Sequence, residues 1–148
     1  MRPRVEQVCR AFAIELVERV VPAIGSAFQQ GTAAMIAMML LMVADEWDRG
    51  ASRLVEENAR LRELFAAAAS HVKAPLLQGR LLELVETTDN DLRIAALEVA
   101  NSKLRSALID LHAHVELQSG PEARGIEASI WRELMESTKR RRLALAQF

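Results

Sequence analysis

The closest pair of histidines lies in the segment Asp110-Leu111-His112-Ala113-His114-Val115-Glu116. Residues two apart on a helix point about 200° from each other, so these two imidazoles cannot share a metal ion. His112 with Glu116, or Asp110 with His114, would each place two ligands on one helical face. Two ligands are not a site, and no other segment offers an obvious third. Di-iron helical bundles use Glu-x-x-His on two helices, and no histidine here has a glutamate three residues before it.

The remaining chemistry-bearing residues are equally spare. Cys9 would be a nucleophile only beside a histidine brought to it by the fold. At the edge of an apolar stripe it reads as a small buried residue. Asp45, Glu46 and Asp48 flank Trp47 at the end of an apolar run. A carboxylate in such a place can carry a raised pKa, but the cluster reads more simply as the point where a buried helix emerges into water. Met35, Met38, Met39 and Met42, with Trp47, could line an adaptable pocket for an acyl chain. Methionines at helical spacing are also ordinary core. The basic run Lys139-Arg140-Arg141-Arg142 suits a helix C-terminus and a Glu136–Arg140 pair, and no stacking aromatic or recognition motif makes it a nucleic-acid site. There is no Gly-x-Ser-x-Gly, no phosphate-cradling loop and no His-Glu-x-x-His. The sequence therefore assigns no catalytic, cofactor or metal residue.

The totals set the frame for whatever positions these groups. The chain has 148 residues, 51% of them apolar and 26% charged, with a net charge of −1. That length supports a single domain, 1–148, with one real core. The balanced charge gives no long-range attraction to nucleic acid or anionic lipid. A single cysteine allows no intrachain disulfide, which fits a reducing cytoplasm. The start Met1-Arg2-Pro3-Arg4 is basic, but Glu6, Arg10, Glu15, Glu18 and Arg19 interrupt the apolar core a signal peptide would need.

Leucine, alanine, glutamate and arginine dominate, no tyrosine is present, and no segment alternates as a strand would. The expectation is an all-α bundle of about five helices. The first helix carries Val5, Val8, Phe12 and Leu16 and kinks or stops at Pro22. A long central helix over about 32–69 follows, with Gly31 as the preceding terminator and Thr32 as its cap. Its first part, Ala33 to Ala44, reads as a rod buried on all sides, too short at 12 residues to span a bilayer. A short helix begins at Pro75. Thr88 and Asp91 look like a capping box for a second long helix over about 89–118. Gly120-Pro121 then reads as a stop and a start.

The two long helices echo one another. Asn58-Ala59-Arg60-Leu61-Arg62 and Asn101-Ser102-Lys103-Leu104-Arg105 are offset by 43 residues, and Leu54 and Phe65 then match Leu97 and Leu108. Each heptad seam carries one asparagine where an apolar residue would be more stable. Facing amides supply each other's donors and acceptors, and leaving one unpaired costs about 1–3 kcal/mol. The expectation is that Asn58 and Asn101 set register between the two helices, paired antiparallel. A parallel homodimer through Asn58 is the alternative.

The reading that results is a cytoplasmic, non-enzymatic interaction or assembly protein, dimeric with itself through coiled-coil-like packing. It has no nucleic-acid partner and no membrane span. The alternative is a binder of a small apolar ligand in the methionine-lined pocket.

Overall fold

The computed structural model describes residues 3–142, so Met1 and Arg2 of the basic start lie outside the described residues, as do residues 143–148. All regular structure among the described residues is helical. The elements are α1 (Val5–Glu15), a π-helical turn (Leu16–Val20), α2 (Val21–Ala23), α3 (Ala27–Ala69), α4 (Pro75–Val85), α5 (Ile94–Glu116) and α6 (Pro121–Arg140). The chain divides into two compact units, Met1–Gly50 with Arg142–Phe148, and Ala51–Arg141, and α3 runs through the boundary.

In the first unit the amide of Val21 reaches back five residues to the carbonyl of Leu16. Pro22, which has no amide proton to continue the ladder, follows at once. The helix ends at Ala23 and Ile24 is extended. The chain then starts α3 at Ala27, five residues ahead of the sequence expectation. Gly31 does not terminate anything. Thr32 is no cap either, since its hydroxyl donates to the carbonyl of Phe28 inside the helix (3.1 Å). Ala13 and Ala37 lie twelve residues before and after Gly25, and each is only 1% exposed.

The buried-rod expectation for Ala33 to Ala44 is overturned here. Ala33, Ala37 and Ala44 are buried, but Met35, Met38 and Met39 are about 60% exposed, and Phe28, Ile36 and Val43 face out with them. The run is uniformly apolar in sequence, yet its three buried residues are all alanines and its large residues are exposed or half-buried. Starting α3 at Ala27 also lengthens the uncharged stretch to residues 27–44, and α3 is long and apolar enough by length and composition to cross a bilayer.

The second unit is a four-helix bundle formed by residues 51–69 of α3 together with α4, α5 and α6. Its core holds Leu61, Phe65, Leu81, Leu104, Leu108, Leu111 and Ile130, all essentially inaccessible. Short connections alternate the helix directions. Gln78 Nε2 donates to the Ala69 carbonyl (2.9 Å) and Arg62 Nε to Thr87 Oγ1 (3.1 Å), so α4 runs back along α3. Arg80 meets Ser106 and Asp110 in the middle of α5, while Leu84 and Thr87 lie beside residues between Ala96 and Leu104. α5 is therefore antiparallel to α4 and parallel to α3. The antiparallel pairing expected of the two long helices is incorrect, because α4 returns the chain to the level at which α3 entered the bundle.

Thr88 caps no helix. The segment expected to open the second long helix is a loop, and α5 starts at Ile94 with Arg93 as its flanking residue. Asp91 is folded onto Arg93, accepting from its backbone amide (3.0 Å) and its guanidinium, which lowers the Asp91 pKa to about 2. The stop–start at Gly120-Pro121 stands where expected, and Gly120 adopts φ 126°.

Two glycines should respond to alanine with opposite signs. Gly120→Ala forces an L side chain into positive φ and should destabilise by about 1 kcal/mol or more. Gly79 lies exposed inside α4 with nothing near a built Cβ, so Gly79→Ala should stabilise by about 0.5–1 kcal/mol. Urea unfolding of the two variants checks both signs.

Candidate functional site

The bundle contains a polar layer at the level of Asn58. Glu57 and Asn58 come from α3, Asn101 and Arg105 from α5, Ser137 from α6, Arg141 from the residue after α6, and Asp89 from the α4–α5 loop. Asn101 Nδ2 donates to Asn58 Oδ1 (3.0 Å) and, more weakly, to Glu57 Oε2 (3.3 Å). Asn58 Nδ2 donates onward to Asp89 Oδ1 (3.2 Å), and the Asn101 carbonyl accepts from Arg141 Nη2 (3.3 Å). The two amides are thus in contact, and each also has a charged partner.

Those charged partners are the centre of the layer. Glu57 is 1% exposed, and Arg141 grips it with two hydrogen bonds, Nε to Oε1 (2.8 Å) and Nη2 to Oε2 (2.6 Å). Ser137 Oγ adds a third at 3.2 Å. Burial pushes the Glu57 pKa up, but Arg141, Ser137 and the nearby charge of Arg105 outweigh it and hold the group below its ordinary value. Arg62 forks onto Asp89 at 3.0 and 2.8 Å and likewise lowers it, helped by Asn58. Both acids are ionised at neutral pH and fully engaged. Such a layer fixes positions; it offers no free base, acid or nucleophile.

Sequence reasoning found the amides and missed Glu57, Asp89 and Arg141. Glu57 adjoins a seam position, which was a signal; Asp89 falls at the expected start of the second long helix, where nothing marks it as a partner of Asn58. Nothing in the local pattern picks Arg141 out of its basic run. Arg140 is also turned inward, bound to Glu133 and facing Glu56, so Glu136 pairs with Lys139 rather than with Arg140.

The other singled-out residues are dispersed. The edge of the His112 ring meets Trp131 of α6, with centroids 5.3 Å apart, and its Nε2 lies 3.6 Å from Glu116. His114 meets Gln118. Cys9 is half-buried. Asp45 is buried and bound by Arg49 at 3.0 and 2.5 Å, an ion pair rather than a poised acid. No three of His, Cys, Asp and Glu converge as a metal would require among the described residues.

Met35, Met38, Met39, Met42 and Trp47 form an open surface on α3, and neither cavity described in the bundle, of about 650 and 280 Å³, includes them. Phe28, Met35 and Met42 are spaced by seven, with Met38 three residues after Met35, which is the a/d pattern of a helix-pairing seam. This outer seam lies two residues out of phase with Ala37 and Ala44, so it faces away from those buried alanines. Comparison with known protein families, curated proteins and solved structures finds no match. The surface itself must supply the functional reading.

Two measurements test the polar layer. Asn58→Leu and Asn101→Leu should each cost about 1–3 kcal/mol, with the double variant well short of additive. The folded pKa values of Glu57 and Asp89 are lowered, so their stabilisation is complete above the unfolded carboxylate values near pH 4 and is lost as pH falls through the folded ones. Chemical unfolding between about pH 7 and 3 should show a steep acid limb, flattened in Glu57→Gln.

Proposed function

We propose that the protein is a non-enzymatic helical assembly protein that associates with a second copy of itself through the outer seam of α3. The supporting observation is the exposure of Phe28, Met35, Met38, Met39 and Met42 on one seven-residue pattern. With Ile36, Val43 and Trp47 they hold on the order of 800 Å² of exposed apolar surface, about one partner's share of a standard interface. A monomer ordinarily exposes apolar patches of only a few hundred Å². Two such faces brought together would make a seam of aromatic and methionine side chains, and methionine adapts readily to a like surface.

Lipid is the competing cover for the same face. Against it stands α1 with its following turn, which carries Glu6, Arg10, Glu15, Glu18 and Arg19 along the stretch that precedes α3. Charges inside a bilayer cost about 2.5–3.5 kcal/mol each even on the lowest scales. With three negative and two positive, they also lack the basic excess that draws an amphipathic helix to anionic lipid. Cytoplasmic residence fits this aqueous reading and the lone cysteine. An acyl-chain ligand has less support, because the methionines line an open face and not an enclosed cavity.

Sedimentation velocity tests the proposal. The natural sequence should form a dimer at concentrations up to about 100 μM, and the double substitution Met35→Glu with Met39→Glu should make it monomeric. These side chains are exposed, so the variant should keep its thermal stability. A natural protein that stays monomeric at that concentration, or that floats with neutral phosphatidylcholine vesicles, overturns it.

A further inference from the structure

The bundle carries an open groove of about 650 Å³ between α3 and α6 that the polar layer and the proposed dimer face leave unused. Its floor is made of small and apolar residues, Leu64, Ala67 and Ala68 from one helix and Gly125, Ile126 and Ser129 from the other. From Glu56 to Ala68 it follows α3 for about 18 Å, a little over three turns. A floor of this kind lets a further helix approach to the usual 8–10 Å and set larger side chains between the two.

The rim determines what kind of helix fits. Glu56, Glu63, Glu122, Glu133 and Glu136 line it against Arg60, Arg132 and Arg140, five negative charges to three positive. Two of the arginines are already engaged within the groove. Arg60 donates to Glu63 (2.9 Å), and Arg140 is bound to Glu133 with Glu56 3.7 Å away. Glu136 is likewise paired with Lys139, so the rim keeps Glu56 and Glu122 against Arg132, an excess of one carboxylate. Phosphate-bearing partners are repelled by it, whereas lysine or arginine flanking an apolar stripe is attracted.

We infer that this groove docks a basic amphipathic helix from a partner protein. The occupant is not the exposed seam of a second copy. That stretch has no lysine or arginine anywhere from residue 20 to residue 48, and so cannot meet a carboxylate rim. The function reached is thus wider than self-association, since it adds a recruiting surface on residues 56–68 of α3 and on α6.

The test uses the full chain and two synthetic 18-residue helical peptides with the same leucine–alanine stripe, one flanked by lysine and one by glutamate. Fluorescence anisotropy should show saturable binding of the lysine peptide and at least tenfold weaker binding of the glutamate peptide. Ser129→Trp, which fills the groove from its surface, should weaken the lysine peptide tenfold or more. Glu63→Lys with Glu122→Lys, both on the exposed rim, should reverse the peptide preference, and this arm decides the matter if Ser129→Trp does not fold. Equal or tighter binding of the glutamate peptide, or an affinity unmoved by the substitutions, overturns the inference. If Ser129→Trp changes the protein's own sedimentation while leaving peptide binding intact, the occupant is a second copy and the inference also falls. A failed dimer at the α3 seam leaves this result untouched, because Met35 and Met39 take no part in the groove.

Discussion

A carboxylate inside an apolar bundle has to be met by a cation and by hydrogen bonds, and Glu57 imposes that requirement on every neighbouring element. An unpaired buried charge costs several kcal/mol, and a paired one is satisfied only in one geometry. Arg141 must arrive from the end of α6, Ser137 from one turn before it, and Asn101 from α5. Asn58 then passes the network to Asp89 and Arg62. A one-turn slip of any helix would leave at least one buried group without its partner. Leucine-rich packing beside the layer supplies most of the burial.

The same helix obeys a different rule in the first unit. Between Ala27 and Ala44 no side chain is charged, and the division is by size. Ala33, Ala37 and Ala44 are buried, and methionine, phenylalanine, isoleucine and valine face outward. Water penalises that outward face in proportion to its area, so the face favours any cover that removes it from solvent. Within residues 27–44 the buried alanines and the exposed seam lie on nearly opposite sides of the helix.

The long helix, the short helix opening at Pro75 and the Gly120-Pro121 junction were readable because each rests on local physics: propensity, a missing amide proton, a positive φ. The echo between Asn58 and Asn101 was readable as a contact but was given the wrong direction. A constant offset, with Leu61 matching Leu104 and Phe65 matching Leu108, pairs residues whose numbers rise together, which is the parallel case. Antiparallel pairs would instead keep a constant sum. Equal distances from the helix ends suggested the antiparallel case and carried less information than the offset.

What the sequence determined by itself was the class of fold, most of the helix limits, and the identity of the two amides that meet. These follow from periodicity and from the cost of burying an amide alone. Tertiary structure alone decided that Asp89 leaves its loop to join Asn58, that Arg141 rather than its neighbours closes on Glu57, and that the apolar run of α3 is half surface. In each case the deciding quantity is which distant element arrives at a given level and how much area it covers. A local pattern records hydrophobicity and spacing, but neither the direction from which a partner comes nor whether one comes at all.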